Sequence, residues 1–187
     1  LPLKNENPLR VQAIGHESSA PTTVHAVTYL SDQGGSLQWM DGRTEGPGHY
    51  MSGDVRDDPT GSLGATGVGA RVLRLPDGFH FEIPADSDLG FTVHYRPEGR
   101  SQPLQEEIQL ECADDEDSRP LRTIISMVRS VDLPAGETAV MEDQLVVPET
   151  VDLVGITPRA IGVCTALQIW ADVPGDQPKL ILSSSDW

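Results

Sequence analysis

Apolar residues recur along the chain in short alternating or compact runs, at residues 24–30, 70–75, 79–83, 91–95, 108–112, 139–147, 151–156, 166–173 and 179–182. Side chains of a strand point alternately to its two faces, so a period of two over four to nine residues predicts β-strands rather than helices. Turn chemistry separates the runs: Pro76-Asp77-Gly78, Pro84-Ala85-Asp86, Pro97-Glu98-Gly99, Pro134-Ala135-Gly136-Glu137 and Pro174-Gly175-Asp176. Each supplies a fixed proline φ, a permissive glycine, or both, where a chain reverses. Short strands at this spacing predict an all-β fold built as a sandwich or barrel.

One window departs from the pattern. Leu121, Ile124, Ile125, Val128 and Val131 fall at helical spacing, behind Asp114-Asp115-Glu116-Asp117 as an N-cap region. The β-branched content of the window and the strands on either side favour strand. Residues 34–69 are rich in glycine and polar side chains, with Trp39, Met40, His49, Tyr50 and Met51 scattered among them. They read as a long surface excursion, the kind of segment a partner touches. A change of composition at Ser101 to Leu104, followed by the acidic stretch 106–117, places a domain boundary there. The expected organisation is an N-terminal sandwich at 1–104 and a reduced C-terminal one at 105–187.

Charge narrows the function classes. The 187 residues carry 29 Asp and Glu against 13 Lys and Arg, a formal charge of −16. The basic residues are scattered, so the phosphate-neutralising clusters that nucleic acids require are missing, and anionic membrane surfaces are disfavoured for the same reason. Hydrophobic residues make up 37%, enough to bury a core, while 18 glycines and 15 prolines leave few windows long enough for a helix. No stretch approaches the roughly 18 apolar residues of a spanning helix. The sequence opens on Leu1 rather than Met, for which a cleaved export signal is one explanation among several. Cys112 and Cys164 allow one disulfide, worth about 4 kcal/mol by chain entropy, or two buried free thiols; both remain open.

Most familiar chemistry finds no footing. Gly64-Ala65-Thr66-Gly67-Val68-Gly69 has a phosphate-loop flavour, but such a loop must lead into a helix, and Arg71-Val72-Leu73 reads as a strand, so a turn is expected. The acidic cluster 114–117 lacks the alternating ligands and trailing Glu of a calcium loop and reads as a solvated loop. Neither a nucleophile elbow nor a His-Glu-x-x-His motif is present. Five histidines remain: His16, His25, His49, His80 and His94. Of these, His25 and His94 sit inside expected strands, where copper or zinc favours a rigidly held imidazole, although two ligands fall short of the usual three.

Around these histidines the sequence resembles a known family. Arg10-Val11-Gln12-Ala13-Ile14, Val24-His25-Ala26, Leu75-Pro76-Asp77-Gly78, Ile83-Pro84-Ala85-Asp86-Ser87-Asp88-Leu89 and Val93-His94-Tyr95-Arg96-Pro97-Glu98-Gly99 occur in the order found in copper type II, ascorbate-dependent monooxygenases. The relevant branch is that of peptidylglycine α-hydroxylating monooxygenase. Leu133-Pro134-Ala135-Gly136-Glu137, Val151-Asp152-Leu153-Val154-Gly155-Ile156-Thr157-Pro158 and the closing Asp186-Trp187 extend the similarity over nearly the whole chain.

The resemblance implies two tandem antiparallel, jelly-roll-like sandwiches, each holding one copper. One copper would use a His-His pair and the His of a Val-His-Tyr strand; here the pair reads His25-Ala26, while His94 stays. The other would use a Pro-His-x-His motif and a downstream Met; here the motif reads Pro158-Arg159-Ala160-Ile161. Guanidinium offers no lone pair and Ile161 no donor atom. The family's second sandwich also continues past the position of Trp187, which implies strand edges for a partner to cover.

The expectation is therefore a non-catalytic, periplasmic or extracellular accessory subunit without a cofactor, packed on other protein subunits of a larger, respiratory or photosynthetic membrane complex. The alternative is a mononuclear copper protein or residual monooxygenase using His25 and His94, with a third ligand from His16, His49, His80 or a Met of the long loop. A binding module for a peptide or small molecule ranks third.

Overall fold

The computed structural model describes residues 1–20, 24–33, 61–67, 70–96, 98–126, 132–147, 149–158, 160 and 164–185, with His25 described by its backbone. The regular structure of these residues is β, in ten strands: β1 (Leu9–Ser18), β2 (Val24–Asp32), β3 (Ser62–Thr66), β4 (Val72–Arg74), β5 (Phe79–Ile83), β6 (Asp88–Tyr95), β7 (Glu106–Cys112), β8 (Arg119–Leu121), β9 (Leu167–Ala171) and β10 (Lys179–Ser184). The all-β expectation is met. Among the described residues no helix is long and apolar enough to cross a membrane. Trp39, Met40, His49, Tyr50, Met51, Val68, Gly69, Pro97, Val128, Val131, Arg159, Ile161, Asp186 and Trp187 lie outside the described residues.

The chain forms two compact units, Leu1–Gly155 and Ile156–Trp187. In the first, β1 is paired on both edges. One edge takes β5 through Leu9↔Ile83 to Val11↔Phe81 and then β4 through Ala13↔Arg74 to Gly15↔Val72; the other takes β7 from Val11↔Cys112 to Ser18↔Glu106. All three pairings are antiparallel, and β8 joins β5 in parallel. A second antiparallel sheet has the order β3-β2-β6. The boundary expected after Leu104 falls between β6 and β7, and β7 and β8 pair with β1 and β5. The second unit contains the antiparallel pair β9 and β10, whose connection is closed by the Asp176 N–H donating to the Val173 carbonyl at 3.0 Å.

The inward faces of the two sheets make one core. Val11, Ile14, Phe81 and Ile83 come from the five-stranded sheet and Val27, Tyr29, Leu63 and Leu89 from the three-stranded one. Burying a side chain of this kind contributes roughly 1.5–3 kcal/mol. The Tyr29 hydroxyl stays hydrogen-bonded to Thr66 Oγ1 at 3.3 Å, and burial raises its pKa above the ordinary value.

β1 departs from strict alternation. Val11 and Ala13 face consecutive residues of β7, Cys112 and Glu111, so Gln12 is an extra residue. Such a bulge shifts the phase of every side chain beyond it. Buried positions run Val11, Ala13, Ile14 and His16, with the consecutive pair Ala13-Ile14 marking the change of phase, while Glu17 is exposed. This irregularity, together with Gly15 and His16, hides β1 from a search for alternating apolar runs.

Two sequence expectations are corrected. Gly64-Ala65-Thr66 lies within β3, not in a turn, and residues 62–66 form a strand within the segment read as a surface excursion. Ser62 and Gly64 pair with Leu30 and Tyr29, leaving Leu63 as an extra residue, and Gly64 takes φ +94°. The glycine serves a bulge. A Cβ added there would lie 3.0 Å from Leu73 Cδ2. Gly64→Ala is expected to destabilise the sandwich by more than about 1 kcal/mol, read from the urea midpoint.

The second correction concerns residues 139–147 and 151–156, which form no strand. Their strand-like composition meets no ladder partner, and pairing decides strand formation more than local composition does. Among the described residues of the 120–134 window, Pro120 and Leu121 belong to β8, and residues 122–126 and 132–134 have no regular structure.

Candidate functional site

One end of the sandwich gathers the end of β1, the beginning of β2, the end of β6 and the beginning of β7. Ser18 and Glu106 are direct partners across the β1–β7 ladder, and His16 lies two residues along the same face. The phase shift at Gln12 turns His16 inward. Glu106 is in phase with Ile108 and Leu110 on β7, so its carboxylate shares their half-buried face.

Glu106 is a hub. Its Oε2 lies 2.6 Å from His16 Nε2, and its Oε1 accepts from Ser18 Oγ at 2.7 Å and from Tyr95 OH at 2.6 Å. An ionised carboxylate only accepts, so the arrangement places the His16 proton on Nε2. The His16 and Glu106 side chains are 5% and 12% exposed. Tyr95 belongs to the three-stranded sheet and Glu106 to the five-stranded one, so the carboxylate ties the two layers together. Burial, then the hydrogen bond and charge of Glu106, push the Tyr95 phenol well above its ordinary value.

Ser18 Oγ donates to the Glu106 carboxylate and accepts from the Ala20 N–H at 3.1 Å. A pocket of about 280 Å³ adjoins the cluster, lined by His16, Glu17, Ser18, Val24, Gly67, Ala70 and Arg71.

The metal candidates lie on neighbouring strands, His25 on β2 and His94 on β6. Val24 pairs with Tyr95 and Ala26 with His94, leaving His25 as the extra residue of β2 beside the Ala26–His94 pair. His94 is exposed. Of the proposed third ligands, His16 is engaged with Glu106, and His80 sits on β5 of the other sheet. Among the described residues, no group of three or more His, Cys, Asp or Glu side chains is placed to hold a metal ion. At the Pro158-Arg159-Ala160-Ile161 motif, the donor chemistry does not fit the second copper of a two-copper centre.

His80 has a different task. Ser118 Oγ donates to the Asp115 carbonyl at 2.8 Å, so the imidazole Nδ1–H donates to Ser118 Oγ, also at 2.8 Å. The contact fixes the 113–118 loop against β5. Burial, then the charge of Arg10, lower the His80 pKa, while Glu82 opposes them. The folded state therefore binds fewer protons than the unfolded one. This contribution to stability is intact above the ordinary histidine value of about 6.5 and is lost as pH falls below it. His80→Asn, which keeps a side-chain N–H donor, is expected to flatten the fall of the urea midpoint between about pH 7 and 5.

The acidic cluster 114–117 forms a structured turn on the surface. Asp115 Oδ1 accepts from the Asp117 N–H, and Arg10 donates to the Glu116 carbonyl. Both cysteines are free thiols, Cys112 exposed and Cys164 partly so.

The sequence reading passed over Glu106, Ser18 and Tyr95. The available signal was Glu106-x-Ile108-x-Leu110, a carboxylate on the apolar phase of a strand. No protein-family model, curated protein or solved structure matches the chain.

Proposed function

We propose that this chain is a non-catalytic, extracytoplasmic β-sandwich protein, an accessory subunit packed on other protein subunits of a larger respiratory or photosynthetic membrane assembly. One observation carries the reading. Beyond the self-contained core, the Leu1–Gly155 unit displays a run of uncovered apolar side chains, with Val140 84%, Val146 76% and Leu153 62% exposed. Exposed large apolar side chains gathered in one stretch of chain suit an interaction site, and covering each such side chain returns roughly 1.5–3 kcal/mol. The acidic balance of the chain supplies complementarity to basic neighbours.

Isolation from the native source in mild detergent, with particle mass and copper content measured together, tests the reading. A large reproducible particle without copper is the expected result; a small monomeric particle overturns it.

A second reading has its own support in the β2–β6 register, which sets His25 beside the Ala26–His94 pair. On that reading the chain binds one copper, and His94→Ala abolishes the stoichiometric metal measured by elemental analysis. Retention of copper in that variant overturns it.

A further inference from the structure

We infer that residues 139–147 dock as an added β-strand on the sheet edge of a partner protein, and that this edge carries Lys or Arg beside apolar pockets. The inference rests on the accessory-subunit reading and names the partner's chemistry.

Three features of the run point the same way. Ala139 to Val147 is bounded by Pro148 and carries five large apolar side chains, three of them the strand-favouring Val140, Val146 and Val147. Its described residues take part in no strand pairing, and the turn bond from the Glu137 N–H to the Pro134 carbonyl is the backbone hydrogen bond described between residues 132 and 155. Bare backbone groups and bare apolar side chains are both satisfied by a strand laid alongside, which supplies a hydrogen-bond ladder and a surface for alternate side chains.

Charge selects the occupant. Residues 131–158 hold six acids and no Lys, Arg or His. Glu142 and Asp143 lie within the run that would dock, and Asp143 also accepts a hydrogen bond from Ser126 Oγ. A second copy of this chain would set acid against acid across the ladder, on top of a net charge of −16 per chain. A basic edge sets opposite charges there.

The test uses two synthetic β-hairpin peptides, one alternating Lys with Val and the other Glu with Val, added to the whole protein while backbone amide exchange is followed by mass spectrometry. With the Lys peptide, amides of 139–147 are expected to slow by about tenfold or more at about 0.05 M salt, and the protection to fade at about 0.5 M. The Glu peptide is expected to give none. The double variant Glu142→Lys with Asp143→Lys should exchange the two peptides' roles, while unchanged protection in β1 and β2 certifies that the sandwich is folded.

No protection from the Lys peptide, equal protection from both, or protection of other segments only would overturn the inference. Protection of the same amides that rises with protein concentration alone would overturn it in favour of a second copy. A large native particle combined with failure of the Lys peptide removes this interface and leaves the subunit reading standing. A monomeric native protein removes the subunit reading itself.

Discussion

Glu106→Ala is expected to lower the stability of the sandwich by about 3–5 kcal/mol, the range for removing one partner of a buried charged network. The single substitution deprives three donors of their acceptor: His16 Nε2–H, Ser18 Oγ and Tyr95 OH. His16 is almost fully enclosed, so its ring loses a partner that bulk water does not readily replace. Tyr95→Phe removes one donor and leaves the carboxylate two others, so it should cost only about 1 kcal/mol. The two variants separate in alkali. Because the Tyr95 phenol holds its proton more tightly in the folded state, stability falls as pH rises above the ordinary tyrosine value of about 10. Tyr95→Phe should lose that part of the alkaline slope. Urea midpoints at neutral pH and in alkali give both results, and a Glu106→Ala midpoint equal to wild type would refute the hub.

Ile14→Ala is expected to cost about 2–5 kcal/mol, since the side chain is wholly enclosed between the sheets and its removal leaves a cavity. Val140→Ala should change stability by less than about 0.5 kcal/mol, because that side chain is 84% exposed. The contrast matters more than either figure. It separates the residues that hold the fold from apolar residues that the fold leaves uncovered, and the uncovered ones are where the proposed partner would act. Comparable losses for both substitutions would place residue 140 in the core and undo the argument for docking.

Much of the architecture was legible where one strand keeps one phase. Phe79 to Ile83 alternates between turn residues and becomes β5 with the expected bounds, and the runs around Val24, Phe91 and Ile108 become β2, β6 and β7. Legibility failed where a bulge changes the phase. Gln12 hides β1, the most connected strand, and the small residues Ser62-Leu63-Gly64-Ala65-Thr66 hide β3. It failed in the other direction at residues 139–147, where strand-like composition finds no ladder, because pairing is a property of distant chain segments.

The candidate site divides in the same way. His25 and His94 were visible as histidines within strands, and the strands that carry them, β2 and β6, are neighbours in one sheet. The register between those strands depends, however, on an extra residue in β2 that composition does not disclose. Glu106 gave a weak signal, its phase with Ile108 and Leu110, but its meaning depended on Tyr95 arriving from another sheet and His16 being turned inward.

The double pairing of β1 also has a consequence for biogenesis. Strand β1 emerges before its partners, and one of its edges is completed only by β7, whose Glu106 lies 88 residues beyond Ser18. At roughly 5–20 residues per second, that edge stays bare for on the order of 4–18 s of synthesis. Contacts so distant in sequence also close slowly once the chain is complete, commonly on the millisecond to second scale. The nascent chain therefore carries its central strand first unpaired, until β4 and β5 appear, and then half-paired, and a holding chaperone that shields residues 9–18 would raise the yield of folded protein more than one acting after β7 has appeared.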